Sequence, residues 1–144
     1  MDPKVTIYTD GACSSNGQDG AQAGIGVYCQ EDPSLNVCEP LSGRQTNQRA
    51  ELKAAARGIA NARANGYREV TVKTDSNYVK NGVESWMPNW DRNGWNGVKN
   101  EADFRDLRSS MEGMKVNFEK VPSKANAADN LAKKASTMCR KFIH

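Results

Sequence analysis

Two strand-like segments of this chain end alike, in Thr9-Asp10-Gly11 and Thr74-Asp75-Ser76, with one helix-length segment between them. Val5, Ile7 and Thr9 alternate with Thr6, Tyr8 and Asp10, which is the period of a strand, and residues 70–74 read as another. A helical crossover between two strands suits a parallel pair. Parallel neighbours that stop together would deliver Asp10 and Asp75 to the carboxyl edge of one sheet, where open α/β sheets bind their ligands.

The remaining segments fit around that pair. The first strand is expected to end at Gly11, with a polar turn at Ser14-Ser15-Asn16-Gly17. Ala23 to Tyr28 reads as a second strand and Leu35 to Leu41 as a third, joined by connections short enough for antiparallel hairpins. Thr46 or Asn47 can cap a helix in which Leu52, Ala55, Ala56 and Ile59 recur at helical spacing, and Asn65-Gly66 supplies its stop. Residues 77–100 suggest short helices and loops rich in Asn, Gly and Trp. Ala102 to Gly113 should be helical and Lys115 to Val121 a strand. A last helix is expected from Pro122-Ser123, with Ala128, Leu131, Ala132, Ala135 and Met138 on one face. The predicted plan is α/β, a five-stranded mixed sheet with helices on both faces. A length of 144 residues suits one domain over 1–144, and 38% apolar residues suffice for one core.

Charge and cysteines narrow the class further. No run of about 18 apolar residues exists, so no membrane-spanning helix is expected. The start, Met1-Asp2-Pro3-Lys4, resembles neither a secretion signal nor a mitochondrial leader, which points to an intracellular protein, nuclear or cytoplasmic. Cys13, Cys29, Cys38 and Cys139 lack the spacing of a zinc or redox pair and read as reduced thiols. The net charge of +3 decides little, but between Arg44 and Lys73 seven basic residues face only Glu51 and Glu69. Such a surplus favours a polyanion, although a solvated helix face is the commoner origin of such a run.

Two further carboxylates belong with the strand ends. Glu51 falls early in the crossover helix beside the core residue Leu52, and Asp129 stands early in the last helix between Ala128 and Leu131. Taken singly, each of these acids is an ordinary turn former or helix-dipole partner. Taken together they would crowd one sheet edge and repel, and one would take up a proton near neutrality unless a divalent cation intervened. Hard oxygen ligands suit magnesium or manganese.

The motifs carrying these residues resemble the type 1 ribonuclease H family, cellular branch, over roughly Val5 to Met138. They are the run from Tyr8 to Gly17, the run from Ala23 to Tyr28, Gly43-Arg44-Gln45-Thr46-Asn47-Gln48-Arg49-Ala50-Glu51, Thr74-Asp75-Ser76, Asn93-Gly94-Trp95 and Ala128-Asp129. The resemblance implies a ribonuclease H-like fold and an endonuclease that hydrolyses the RNA strand of RNA–DNA hybrids, leaving 5′-phosphate and 3′-hydroxyl ends. Asp10, Glu51, Asp75 and Asp129 would be catalytic and would hold two Mg2+ ions, with Mn2+ an alternative. The RNA strand would be read at its 2′-hydroxyls by the backbone at Cys13 and by Ser15, Asn16, Asn47, Gln48 and Glu51. The DNA strand would meet a phosphate pocket of Arg44, Thr46 and Asn100, and Trp86, Trp90 and Trp95 resemble the family's aromatic channel, with Trp86 and Trp90 expected to bind the DNA strand. Without the resemblance those tryptophans read as core or as an amphipathic face.

Three departures from the family pattern matter. The family's flexible loop histidine is missing, since only Ser123-Lys124-Ala125-Asn126-Ala127 separates Pro122 from Ala128, and the one histidine is His144. Turnover is therefore expected to be slower, with Lys124 either a partial substitute as a loop cation or a solvated lysine. Ala127 replaces a frequent glutamate, while Asn126 matches. The segment 84–106 holds five acids (Glu84, Asp91, Glu101, Asp103, Asp106) and only Arg92, Lys99 and Arg105, where the family is usually basic, so weaker hybrid binding with modest salt dependence is expected.

The alternative is a hybrid-binding protein of the same fold with weak or lost turnover, and a retroelement polymerase domain is a third reading. No separate hybrid-binding domain is expected within the chain. A monomer is anticipated, with exchange of the last helix between two copies as a minor alternative.

Overall fold

The computed structural model describes residues 3–14 and 20–132. Its elements are β1 (Lys4–Ser14), β2 (Gln22–Tyr28), β3 (Val37–Pro40), α1 (Asn47–Ala64), β4 (Glu69–Thr74), α2 (Asn77–Asn81), α3 (Met87–Asn93), α4 (Glu101–Met111) and β5 (Lys115–Lys120). The strands form one sheet in the order β3-β2-β1-β4-β5. β1 runs antiparallel to β2 and parallel to β4, and β4 runs parallel to β5, so the sheet is mixed as expected.

Alternation along the strands sorts the two faces. Ile7 and Thr9 of β1 and Val27 of β2 line the side where Gly58 of α1 lies against them; a Cβ there would come within 2.7 Å of Ile7 Cδ1. Gly26 points the other way, where an added Cβ would meet the backbone of Ala128 and Ala132 at 2.7 and 2.6 Å. Helical chain thus covers both faces, and glycine permits the close approach in each case.

α1 begins where Thr46 Oγ1 accepts the Arg49 amide at 3.2 Å and stops at Asn65-Gly66, with Gly66 at φ +92° and Tyr67 N–H bonded to Ala62 O at 3.1 Å. Leu52, Ala55, Ile59 and Ala62 form its buried stripe.

Three boundaries differ from the sequence pattern. β1 continues past Gly11 to Ser14, because Gly11, Ala12, Cys13 and Ser14 pair with Ile25, Gly24, Ala23 and Gln22. Leu35 is not in a strand: Asp32 accepts both the amide and the hydroxyl of Ser34, which with Pro33 sets a 3₁₀ turn over Pro33–Leu35 and seats Leu35 in the core. The last helix does not begin at Pro122-Ser123. Ser123–Ala125 is a 3₁₀ turn, Asn126 Oδ1 accepts the Ala128 amide at 3.0 Å, and helix starts at 129. Ala135 and Met138 lie outside the described residues. No helix among the described residues is long and apolar enough to cross a membrane.

Candidate active site and nucleic-acid interface

Register builds the site. Thr9 of β1 pairs with Thr74 of β4, so Asp10 and Asp75 each stand one residue beyond a shared rung. On the α1 side of β1, Gly11 lacks the Cβ that would sit 2.5 Å from the Ala50 carbonyl carbon and the Glu51 amide. The first turns of α1 therefore press against the strand end, and Glu51 accepts the Gly11 amide. One ligand atom from each of Asp10, Glu51 and Asp75 lies within 4.8 Å of the others. Asp129, at the start of the last helix, hydrogen-bonds Asp10 through its side chain.

These acids sit in a poor place for charge. Asp10 is 3% and Glu51 6% exposed, while Asp75 and Asp129 are half-buried. Burial pushes the Asp10 carboxyl up to about 7, helped by its hydrogen bond to Asp129 and by the charges of Asp75 and Asp129, against the bond from Glu51. Burial pushes Glu51 up to about 10, aided by the neighbouring Asp10 charge, its hydrogen bond to Asp10 and the charge of Asp75. Glu51 Oε2 is buried and has no hydrogen-bond partner. A carboxylate with one orphaned oxygen, clustered with two further carboxylates, fits a divalent cation with oxygen ligands.

Asn126, which the sequence marked only as matching a motif, is the connector of the site. It is 5% exposed; its amide nitrogen donates to Thr9 O at 3.0 Å and to Asp75 Oδ2 at 3.3 Å, and its oxygen caps Ala128. One side chain thereby ties both strand ends to the segment bearing Asp129. An Asn three residues before an Asp at a helix start is the signal that could have exposed this role.

The other sequence-named residues fall into two groups. Cys13 is half-buried in β1, its thiol directed at Gln45 O at 3.7 Å, and burial raises its pKa. Asn47 and Gln48 open α1, next to the carboxylates, whereas Ser15 and Asn16 lie outside the described residues. Arg44 is exposed on the β3–α1 loop, Thr46 caps α1, and Asn100 takes φ +57° at the start of α4 with its amide donating to Tyr78 Oη at 3.1 Å. Trp86 and Trp90 are half-buried in a cluster with Tyr78, Trp95 and Phe104, with ring centroids 4.9–6.2 Å apart between Trp90 and its three neighbours. Trp95 is core, as the reading without the resemblance had it, and Trp86 and Trp90 are half-buried. Lys124 is exposed in the 3₁₀ turn.

All five acids of the 84–106 segment are ion-paired. Glu84 pairs with Lys80 and Glu101 with Arg105, each at 2.7 Å; Asp103 pairs with Arg49 at 2.8 Å; Asp91 pairs with Arg108 and Asp106 with Lys53. Four of those five cations stand outside the window, which is why a local count made the segment look acidic.

Fold and site together define an α/β protein with a candidate cation site at the ends of neighbouring parallel strands. The RNase H family model matches residues 2–137, and the chain belongs to the RNase H family. It is 41% identical over 135 residues to Ribonuclease H1 of Rattus norvegicus, covering 90% of this chain and 47% of that protein. To the Ribonuclease H of Cyanothece sp. it is 34% identical over 128 residues, covering 86% of this chain and 80% of that one. Among solved structures, LC9-RNase H1, a type 1 RNase H with the type 2 active-site motif, matches with a TM-score of 0.76 at 25% identity, over 96% of this chain and 74% of that one. The chain thus spans about half the length of the mammalian Ribonuclease H1 proteins it resembles.

Proposed function

We propose that this chain is an endonuclease that hydrolyses the RNA strand of RNA–DNA hybrids, with Asp10, Glu51, Asp75 and Asp129 holding two divalent cations, Mg2+ or Mn2+. The convergence of Asp10, Glu51 and Asp75, with a buried Glu51 oxygen left without a partner, carries this reading. The relatives named Ribonuclease H1 and Ribonuclease H support it. When bound, such ions lower the pKa of an attacking water and stabilise the leaving oxygen.

The chain's own residues then divide the work. The carboxylates fix the ions at the edge where a backbone can lie. Asn126 holds Asp75 and the Asp129 segment in register. Asn47 and Gln48, with Ser15, Asn16 and the Cys13 backbone, read the RNA strand through donors and acceptors suited to a 2′-hydroxyl. Arg44, Thr46 and Asn100 hold a phosphate of the DNA strand, and Trp86 and Trp90 offer it ring faces. The products carry 5′-phosphate and 3′-hydroxyl ends.

The test is cleavage of a labelled hybrid beside single-stranded RNA and duplex RNA of the same sequence, in Mg2+, Mn2+ or EDTA. Hybrid-selective, EDTA-sensitive cleavage is expected. Equal cutting of duplex RNA, or cutting in EDTA, would overturn the proposal.

The compact 122–126 turn favours slow product release as a second element of the reading. Ala125 N–H bonds Pro122 O at 2.9 Å and Asn126 N–H bonds Ser123 O at 3.1 Å, which leaves little of a mobile loop, and no histidine stands in it. A single-turnover rate well above the steady-state rate is the expected signature; equal rates for the two would remove it. If Lys124 serves as a loop cation, Lys124→Ala lowers the steady-state rate alone.

A further inference from the structure

We infer that Arg49, through Asp103, is a positioning residue for the DNA strand: it holds the two sides of the phosphate pocket, Arg44 and Thr46 on one and Asn100 on the other, at a fixed separation. The inference rests on the hybrid-hydrolase reading above.

One guanidinium joins three segments. Nε and Nη2 donate to the two oxygens of Asp103 at 2.8 and 3.2 Å, a bidentate pair across to α4. Nη1 donates to Ser42 O at 3.0 Å and also to Arg44 O, pinning the β3–α1 loop. The backbone amide of the same residue bonds Thr46 Oγ1 at 3.2 Å, which orients that hydroxyl as an acceptor toward α1 and leaves its proton as a donor. On the far side, Asp103 N–H bonds Asn100 O at 3.1 Å, so the carboxylate that Arg49 grips sits one turn from Asn100.

The pair is shielded, with side-chain exposures of 15% for Arg49 and 6% for Asp103. The loop wraps the guanidinium closely. Gly43, at φ +80°, would put a Cβ only 3.2 Å from Nη1. Ser42, Gly43 and Arg44 are themselves exposed. A purely structural ion pair between α1 and α4 would not require a hold on the carbonyls of an exposed loop. That hold makes sense where the loop must present Arg44 at a set distance from α4. Lysine keeps the charge but has no fork with which to hold a carboxylate and two carbonyls at once.

The experiment couples the protein to the phosphate. Hybrids carrying one neutral methylphosphonate at successive positions of the DNA strand are measured for dissociation constant, KM and kcat with the unaltered chain, Arg49→Lys and Asp103→Asn, each checked for an intact melting transition. With the unaltered chain, one DNA position should weaken binding by about tenfold, the size of a lost charge-assisted contact. Arg49→Lys should raise KM for the unmodified hybrid by a similar factor with a much smaller change in kcat, and should show little further loss at that one position. If Arg49→Lys does not fold, the same comparison is read on Asp103→Asn.

Additive losses from the variant and the neutral phosphate would overturn the inference, as would a folded variant with unchanged KM. So would an unaltered chain indifferent to every DNA phosphate. Failure of the hydrolase reading looks different: the unmodified hybrid is not cut at all, while binding still reports the coupling.

Discussion

The carboxylate edge and the aromatic segment beside α4 handle charge in opposite ways. At the edge, Asp10, Glu51 and Asp75 are crowded together and none takes part in an ion pair among the described residues. Around the aromatic cluster, five acids are each matched by a lysine or arginine. Buried charge without a partner is costly, so such a group either takes up a proton or is completed by a ligand of opposite charge. Matched charge, exposed as in Lys80–Glu84 or shielded as in Arg49–Asp103, completes itself and leaves little net field. The first region is therefore suited to cations, and the second surrounds partly exposed ring faces with little net charge.

Removing one acid from the edge is the harshest way to break the contrast. Asp75→Asn should lower hybrid cleavage by on the order of a thousandfold or more, because an ion loses a charged ligand at the reacting centre. The metal-free protein should meanwhile melt no lower than the parent, since a repulsive neighbour has gone. Cleavage within about tenfold of the parent would mean that the cluster is not the reacting centre. Asn126→Ala comes next. It leaves every carboxylate in place but frees Asp75 and the Asp129 segment, and a loss of about 10–100-fold in kcat is expected, the usual cost of losing a side chain that orients metal ligands. A loss confined to KM would reassign Asn126 to substrate binding.

Metal removal tests the same edge through stability. Burial raises both Asp10 and Glu51 from ordinary values of 3.8 and 4.5, to about 7 and about 10. Both groups thus bind protons more tightly folded than unfolded, and the folded state holds more protons through this interval. Stability must then fall as pH rises. The decline begins above the ordinary carboxylate range, runs through about 7 for Asp10 and extends toward about 10 for Glu51. In EDTA the melting temperature should drop by several degrees between about pH 5 and pH 8. Saturating Mg2+ or Mn2+ should restore most of the loss at the higher pH and little at the lower. A metal-free melting temperature that is flat across this interval would count against the buried, cation-seeking edge.

How far each region could be read from sequence follows from the range of the interactions that make it. Alternation in 5–10 and 70–74, with a helix-length crossover, was enough to set Asp10 beside Asp75, because register is a backbone property with a period of two. Glu51 was legible through Leu52, whose burial fixes the helix face next to it. Leu35 was misread because the Asp32-Pro33-Ser34 turn outweighed the apolar run after it. The last helix starts late because Asn126 spends its side chain on Thr9, Asp75 and Ala128. The pairings of Arg49 with Asp103, Lys53 with Asp106 and Arg108 with Asp91 join residues 17 to 54 positions apart, so no window along the chain could show them.

The smallest expected effect sharpens the contrast from the other side. Lys80–Glu84 is an exposed pair one helical turn apart, of a kind worth at most about 0.5 kcal/mol, so breaking it should leave the melting temperature nearly unchanged. Glu84→Lys removes a matched acid and leaves two unpaired cations near the aromatic cluster. If the neutrality of this segment limits its grip on the DNA strand, hybrid binding should tighten at low salt. The slope of log K against log salt should steepen by about one phosphate contact, with kcat at saturation unaffected. An unchanged slope would mean that the hybrid does not pass this surface, and the ring faces of Trp86 and Trp90 would then need another explanation than contact with the DNA strand.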